Sequence, residues 1–134
     1  MTRGLRNNNP GNIRKGGDIF RGEVLPSSDP AFKQFKTMAW GYRAMFVTLD
    51  TYRKRGLDTI EKIVDAWAPP NENNTAAYAA SVAKWSGVPA GKRLTEYCGA
   101  DYIRIVCAMS RVENGTPASL QNVEQGFALQ NRIK

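Results

Sequence analysis

The stretch Thr37–Gly56, TMAWGYRAMFVTLDTYRKRG, carries a strong helical pattern. Its apolar residues recur at the three- and four-residue spacing of one helix face. They are Met38, Tyr42, Met45, Phe46, Leu49 and Tyr52. Thr37 belongs to the residue types that cap helix N-termini, and Gly56 to those that follow C-termini. This stretch predicts a helix to about Arg55 that buries one side in a core.

Four further helices are predicted downstream, from the same periodicity and from capping residues. Their boundaries are Asp58 (in a capping box with Glu61) to Trp67, Asn74 or Thr75 to Gly87, Asp101 to Asn114-Gly115, and Ser119 to about Ile133. The last helix is apolar at Leu120, Val123 and Phe127, and Leu94–Cys98 is predicted to add a single turn.

The first third of the chain contains only short stretches of regular pattern and is rich in turn residues. Asn12–Lys15 and Ile19–Val24 are predicted to pair as a hairpin across Gly16-Gly17, and the alternating Phe32–Phe35 to add a third strand. The sum is an α+β fold, mostly helical, with about five helices and a small N-terminal antiparallel sheet. With no repeat or linker, residues 1–134 are predicted to form a single domain.

The composition indicates where the protein is made and which kinds of partner it binds. No stretch approaches the roughly 20 apolar residues of a membrane span, so we expect no membrane insertion. MTRGLRNNNPGN lacks the apolar region of a secretory signal, so synthesis in the bacterial cytoplasm is expected, with any action on the wall requiring another carrier. The formal charge of +7 favours an anionic partner such as cell wall or nucleic acid. The sequence has neither a zinc-type array nor a recognition-helix motif, which disfavours nucleic acid.

The chain contains no histidine and only two cysteines, Cys98 and Cys107, without CxxC spacing. Zinc sites, Ser-His-Asp triads and Cys-His dyads are therefore not expected. No cofactor or metal is predicted. Acid–base chemistry would have to use carboxylates, lysine or tyrosine.

Glu113 lies in the last turn of the helix that is predicted to end at Asn114-Gly115. The helix dipole disfavours a carboxylate there by roughly 0.3–1 kcal/mol, so we expect a raised pKa, more so beside an apolar pocket. A raised pKa keeps a general acid protonated near neutral pH. The alternative is an exposed glutamate paired with Arg111 or another base.

The stretch Arg6–Arg14, RNNNPGNIR, is interpreted as a fixed binding loop and not as a flexible tail. Amides offer the paired donors and acceptors that suit sugar hydroxyl and acetamido groups. The amides in question are Asn7, Asn8, Asn9 and Asn12. Asparagine also tolerates turns and left-handed backbone, so a purely conformational role is the alternative.

A third segment, WAPPNENNTAAY at positions 67–78, joins rigid prolines, amides and a helix start. Glu72, Asn73 and Tyr78 are predicted to line a groove. For Glu72, a favourable position before the helix N-terminus is a sufficient alternative. Trp67 is expected in the core, and Tyr78 either in the core or in the groove.

The sequence resembles a family of bacteriophage virion proteins that are often labelled simply "structural protein", with related copies in prophages of gut bacteria. The resemblance rests on RGLRNNNPGNIR (3–14), FKQF (32–35), WGYRAMFVTLDTY (40–52), TIEKIVDAWAPPNENNTAAYAASVAKWSGV (59–88) and AMSRVENG (108–115). It implies a virion-associated protein whose partners include other virion proteins.

A more distant similarity is to glucosaminidases and lytic transglycosylases of the lysozyme superfamily. There a helix ends in a catalytic Glu within an E-S/N-G turn, followed by an Asn-rich segment, a short sheet and helices with a Tyr-bearing stretch. Here Glu113-Asn114-Gly115 comes near the end and the Asn-rich segment opens the chain. The resemblance implies a circularly permuted lysozyme-like fold, in which both segments meet in space.

This similarity implies cleavage of the β-1,4 linkage of peptidoglycan glycan strands, by a glycosidase or a lytic transglycosylase. Glu113 would be the general acid and later the base. A Trp expected in the hairpin is Phe20, and a second carboxylate stays open among Asp18, Glu23, Asp29 and Glu72. A lytic transglycosylase needs no second carboxylate, because the substrate supplies the nucleophile. The alternative function is a non-enzymatic virion component that uses a lysozyme-like fold for wall binding or assembly.

Overall fold

The computed structural model describes residues 1–71, 73–94 and 99–131. Within these ranges the chain forms six helices and no extended strand, so the mostly helical prediction is confirmed. The helices are α1 (Arg3–Arg6), α2 (Met38–Lys54), α3 (Ile60–Trp67), α4 (Thr75–Ser86), α5 (Gly99–Asn114) and α6 (Leu120–Asn131). None of them is both long and apolar enough to cross a bilayer.

Helix α2 begins and ends where its sequence pattern predicts. The Thr37 hydroxyl accepts a hydrogen bond from the Trp40 amide at 3.3 Å, which satisfies one free N–H of the first turn. At the other end, Gly56 adopts a positive φ of 85°. Tyr42, Met45, Phe46 and Leu49 are all buried, so the predicted stripe is the core face.

The starts of α3 and α5 differ from the prediction, because two aspartates form ion pairs instead of caps. Thr59 caps α3, its hydroxyl accepting from the Lys62 amide at 3.1 Å. Asp58 pairs with Arg93 instead, at 3.1 Å. Helix α5 begins at Gly99, so Asp101 lies in its first turn and pairs with Lys92 and Arg104. The single turn predicted at Leu94–Cys98 lies largely outside the described residues.

Helices α4 and α6 begin at the predicted caps. Asn74 accepts from the Ala77 amide, and Gly87 ends α4 with a φ of 74°. Ser119 accepts from the Asn122 amide at 3.3 Å at the start of α6. Leu120 is 55% exposed, so it lies off the buried face that holds Val123. The predicted end near Ile133 lies outside the described residues.

The helices pack in two close pairs around one apolar cluster. Helix α2 runs along α6, and α4 runs along α5. The first pair approaches closely at Gly126, where a Cβ would lie 2.6 Å from the Cβ of Tyr42 and 2.8 Å from the Ala39 carbonyl. Only glycine fits this crossing. The cluster draws residues from α2 through α6, and the single domain stays a prediction.

The N-terminal sheet is where the prediction fails most. Within residues 1–36 only two isolated antiparallel bridges form, Arg14 with Phe32 and Glu23 with Phe35. Both involve the 32–35 segment, so the hairpin predicted across Gly16-Gly17 does not form. The 32–35 segment bonds to both predicted hairpin strands instead: the Lys33 N–H donates to the Ile13 carbonyl at 2.9 Å and the Val24 N–H to the Gln34 carbonyl at 2.8 Å. The Asn9 amide adds bonds to both backbone groups of Ile13.

Helix α1 is not expected from the sequence, because four residues are too few to show periodicity. Thr2 caps it by accepting from the Leu5 amide. It places the Asn run immediately after a helix end.

Candidate functional site

Three of the four predicted amides of the Asn run support the loop from within. Asn9 is fully buried, and its Nδ2 donates to the carbonyls of Ile13 and Lys33 at 2.9 Å each. Asn7 is also buried and donates to Asp29 Oδ2 at 3.1 Å. Neither residue lines the cleft of Glu113 described below; Asn7 lines a separate depression beside Asp29. Their contacts match the conformational alternative, and direct binding of a ligand by them stays a prediction.

Asn8 and Asn12 both adopt left-handed backbone, with φ of 52° and 50°. Asparagine tolerates this region better than other residues that carry a Cβ. The Asn8 amide donates to the Phe35 carbonyl at 3.1 Å, so it also holds the loop. The Asn12 amide differs, because it donates to Glu113 Oε1 at 2.9 Å. The loop thus places one amide of the run at the end of α5.

Asn114 holds the loop against α5. Its Nδ2 donates to the carbonyls of Pro10 and Ser110 at 2.9 Å each, and its Oδ1 accepts from the Thr2 hydroxyl at 3.0 Å. The buried backbone of Gly4 lies beneath it, where a Cβ would approach Oδ1 to 2.5 Å. Sequence reasoning treated Asn114 only as part of a helix-ending turn. Nothing in the local pattern distinguishes it, since its partners Thr2 and Pro10 lie 112 and 104 residues away.

Glu113 is bound through both carboxyl oxygens. Besides the bond from Asn12 to Oε1, the Tyr78 hydroxyl donates to Oε2 at 2.8 Å. Burial raises the pKa of Glu113, and the hydrogen bonds from Asn12 and Tyr78 oppose that rise. The direction agrees with the sequence-based expectation, but the main cause is desolvation. The carboxyl group is held by neutral donors only.

Tyr78 combines the two roles left open for it. Its ring is 8% exposed and belongs to the apolar core, while its hydroxyl reaches Glu113 from α4. Burial and the neighbouring carboxylate raise the pKa of Tyr78 far above its usual value. The phenol therefore stays protonated over the physiological range and acts as a donor to Glu113.

Glu113 opens into a polar cleft of about 310 Å³. Its described walls come from the N-terminal region, the end of α3 and the end of α5. The lining residues are Thr2, Arg3, Gly4, Gly11, Asn12, Arg14, Phe32, Trp67, Ala68, Pro69, Asn73 and Glu113. Among them Glu113 is the one carboxylate. This volume lies at the small end of the range for ligand-binding pockets.

Trp67 and Asn73 also line the cleft. Trp67 packs partly on the core as expected, and its indole N–H donates to the Gly11 carbonyl at 3.2 Å. Asn73 is exposed, and its amide contacts the Pro69 carbonyl at 3.3 Å. Glu72, the third residue predicted for this rim, lies outside the described residues.

The candidates for a second carboxylate that the structure describes lie outside the Glu113 cleft. Asp29 is held by Arg3 at 2.7 Å, which lowers the pKa of that carboxyl well below its usual range. Glu23 forms a buried ion pair with Lys33 at 3.1 Å. Asp18 lines a different cavity, and Glu72 is not described. None of the three described carboxylates lines the Glu113 cleft.

The rim of the cleft carries positive charge. The guanidinium groups of Arg3 and Arg14 stack on the Phe32 ring, 4.5 and 4.9 Å from its centre. Asp29 neutralises Arg3, whereas Arg14 has no ion pair with any residue that the structure describes. Arg14 and Trp67 also line a second, less polar depression of about 340 Å³ beside the cleft. The two depressions form a continuous surface feature.

Comparison with known proteins gives one informative relative, Protein P5 of Pseudoalteromonas phage PM2. It is 41% identical over 131 residues, which cover 94% of this chain and 80% of the phage protein. The chain belongs to this phage protein family. No family model matches it. The relationship confirms the resemblance to bacteriophage proteins at the level of the family and is consistent with virion association.

Proposed function

We propose that this member of the phage P5 family is a virion-associated protein whose Glu113 cleft cleaves the glycan strands of peptidoglycan. The observation that carries the proposal is the state of Glu113. It is a partly buried carboxyl group with a raised pKa, held through both oxygens by neutral donors and open to a polar cleft. A general acid for glycoside cleavage needs these properties.

The cleft walls suit a sugar. Amide groups of Asn12 and Asn73 and the edge of Trp67 line it, and these groups bind hydroxyl, acetamido and apolar faces of pyranoses. Asn7, Asn8 and Asn9 contribute indirectly, by fixing the backbone that presents Asn12. Tyr78 contributes by orienting the acid. Glu72 remains a predicted rim residue.

The single carboxylate among the described lining residues favours lytic transglycosylase chemistry over two-carboxylate hydrolysis. Glu113 gives its proton to the bridging oxygen as the bond from that oxygen to the anomeric carbon breaks. A hydroxyl of the same sugar then bonds to that carbon and returns its proton to Glu113. The acid is restored, and an anhydro-sugar end is formed without water.

The contact between the N-terminal loop and the end of α5 supports a permuted lysozyme-like order. Asn12 and Glu113 lie 101 positions apart and are joined directly by a hydrogen bond, and Asn114 binds Thr2 and Pro10. The Asn-rich segment and the Glu-bearing helix therefore meet as the distant resemblance requires. This contact supports the proposal of a circularly permuted lysozyme-like fold.

The test is release of soluble fragments from purified peptidoglycan of several wall types, measured by turbidity and by mass spectrometry. Wild type should release anhydro-sugar fragments, and Glu113→Gln should reduce the rate about 10²–10⁴-fold. Glutamine keeps a partner for both Asn12 and Tyr78, so this variant should fold. Glu124→Gln, an exposed glutamate on α6, is the matched control and should keep full activity. Equal release by wild type and Glu113→Gln would contradict the proposal.

Membership of the phage P5 family favours a second candidate, a non-enzymatic virion component that binds the wall or other virion proteins. This function predicts that wild type sediments with insoluble peptidoglycan but releases no fragments. It also predicts that Glu113→Gln binds as well as wild type. Sedimentation and fragment release measured on the same samples separate the two functions.

A further inference from the structure

A separate cavity, of about 440 Å³, lies between residues 18–21 and one side of α2. It shares no lining residue with the Glu113 cleft, and no step of the proposed cleavage uses it. Its described lining is Asp18, Ile19, Phe20, Arg21, Arg43, Val47, Thr48, Thr51, Tyr52 and Arg55. Three arginines thus line one cavity, Arg21 from the loop and Arg43 and Arg55 from α2 and its C-cap.

Arg43 is the unusual member of this set. It is only 8% exposed, and its Nε is buried without a hydrogen-bond partner. Its guanidinium makes no ion pair or hydrogen bond with any residue that the structure describes; its one described contact is the Trp40 ring, at 6.0 Å. Burying a charge without a partner is costly, and native proteins avoid it. The unpaired charge of Arg43 therefore indicates that the cavity binds a ligand.

The surrounding charges do not compensate Arg43. Arg21 and Arg55 are exposed, and neither forms an ion pair in the described ranges. Asp18 is the one carboxylate of the described lining, and it lies beyond ion-pair distance of all three. Asp50, on the same helix, is already paired with Arg53 and Lys54. Burial lowers the pKa of Arg43, and the charge of Arg21 adds to this effect, as expected for unrelieved repulsion.

We infer that this cavity is an oxyanion site, and that its ligand is a phosphate group. Three guanidinium groups opposed by one carboxylate leave an excess of two positive charges, which matches a phosphate of charge near −2 at neutral pH. Planar guanidinium groups bind phosphate through paired N–H bonds. The site is independent of the chemistry proposed for Glu113.

The site is tested by thermal unfolding in sodium phosphate and in sodium chloride at the same ionic strength. Phosphate should raise the wild-type Tm by about 4 °C at ten times its Kd. Arg43→Met should lose this shift and should have a higher Tm than wild type in chloride, because an unpaired buried charge is removed. Lys84→Gln, which removes one exposed charge on α4, is the control and should keep the full shift.

A double variant, Arg21→Gln with Arg55→Gln, changes only exposed side chains and should cut the phosphate shift by more than half. It decides the outcome if Arg43→Met fails to fold. A third arm uses an eight-residue thymidine oligonucleotide without terminal phosphate. An Arg43-dependent shift with it assigns the site to phosphodiesters, and a shift with phosphate alone assigns it to free phosphate or monoesters. No phosphate shift in wild type, or equal shifts in wild type and Arg43→Met, would overturn the inference.

Discussion

Residues 1–36 and the helices α2 to α6 are held by different kinds of interaction. The helices share an apolar cluster in which residues such as Phe46, Leu49 and Ile105 are fully buried. The N-terminal region has only the four-residue α1, and most of its buried side chains are polar. Buried amides and ion pairs, such as Asn9 and Lys33–Glu23, hold its backbone in place.

The difference shows how each region serves the site. Apolar packing is non-directional, and it fixes the end of α5 where Glu113 lies. Hydrogen bonds depend on direction, so the polar network fixes the path of the Asn-rich loop and the position of Asn12. The cleft lies where the two regions meet. Changes on either side of this boundary should therefore have separable effects.

The largest effect is expected from the apolar region. Phe46→Ala removes a fully buried ring that packs edge-on against Phe127, with ring centres 5.1 Å apart. The free energy of unfolding should fall by about 4 kcal/mol, because the ring leaves a cavity. Urea unfolding followed by circular dichroism measures this. A loss below about 1 kcal/mol would show that the core collapses around the change.

A somewhat smaller effect is expected from the polar region. Asn9→Ala removes the side-chain partner of three backbone groups, the N–H and carbonyl of Ile13 and the carbonyl of Lys33. We expect a loss of about 3 kcal/mol. Hydrogen exchange of amides in residues 1–36 should increase more than that of α2 amides. Uniform acceleration across both regions would contradict the distinction between them.

Asn114→Ala tests the connection between the regions. It removes the bonds to Pro10, Ser110 and Thr2, and we expect a loss of about 2 kcal/mol. The loop should lose its register on α5, so fragment release from peptidoglycan should fall while helix content is unchanged. Ser119→Ala, a cap of α6, is a control for simple destabilisation. Equal activity of the two variants at matched stability would show that the connection is not needed.

The smallest effect on stability is expected for Asn12→Gly. Glycine accepts the left-handed backbone at this position, so stability should stay within about 0.5 kcal/mol of wild type. The Asn12 bond lowers the pKa of Glu113, so its loss should raise that pKa further. The alkaline limb of the activity profile, where Glu113 loses its proton, should shift to higher pH. An unchanged limb would exclude Asn12 from setting this pKa.

The pH dependence of stability follows from the same carboxyl group. Because the pKa of Glu113 is raised in the folded state, the folded protein binds the proton more tightly than the unfolded chain. Its contribution therefore favours folding below the unfolded pKa of about 4.3 and is lost as the pH rises through the higher folded value. The Glu113→Gln variant should lack this loss when unfolding is measured across the pH range.

Sequence patterns predicted the helices well where local signals dominate. Thr37, Asn74 and Ser119 cap the helices that they were expected to cap, because a cap depends on neighbours within three residues. Asp58 and Asp101 were misassigned because distant basic residues compete for their carboxylates. The hairpin was mispredicted because the 32–35 segment competes for both of its strands and bonds to each of them. No periodicity reveals such competition.

The candidate site was anticipated only in part. Glu113 was singled out by its awkward helix position, and Asn12 and Asn73 by their amides, and all three line one cleft. The inward direction of Asn7 and Asn9 was not predictable, since amides in a row look alike. The role of Asn114 depends on a partner that is distant in the sequence. The role of Arg43 depends on its burial without a hydrogen-bond partner for Nε, which only the folded structure reveals.

The sequence by itself determined the helical periodicity, most helix boundaries, the lack of histidine and the excess of positive charge. These depend on residue type and on short spacing. Tertiary structure alone decided that the Asn-rich loop meets the end of α5, and that of its amides Asn12 reaches Glu113. It did so because a buried polar group must find a directional partner wherever the chain supplies one. Such partners can lie a hundred residues away.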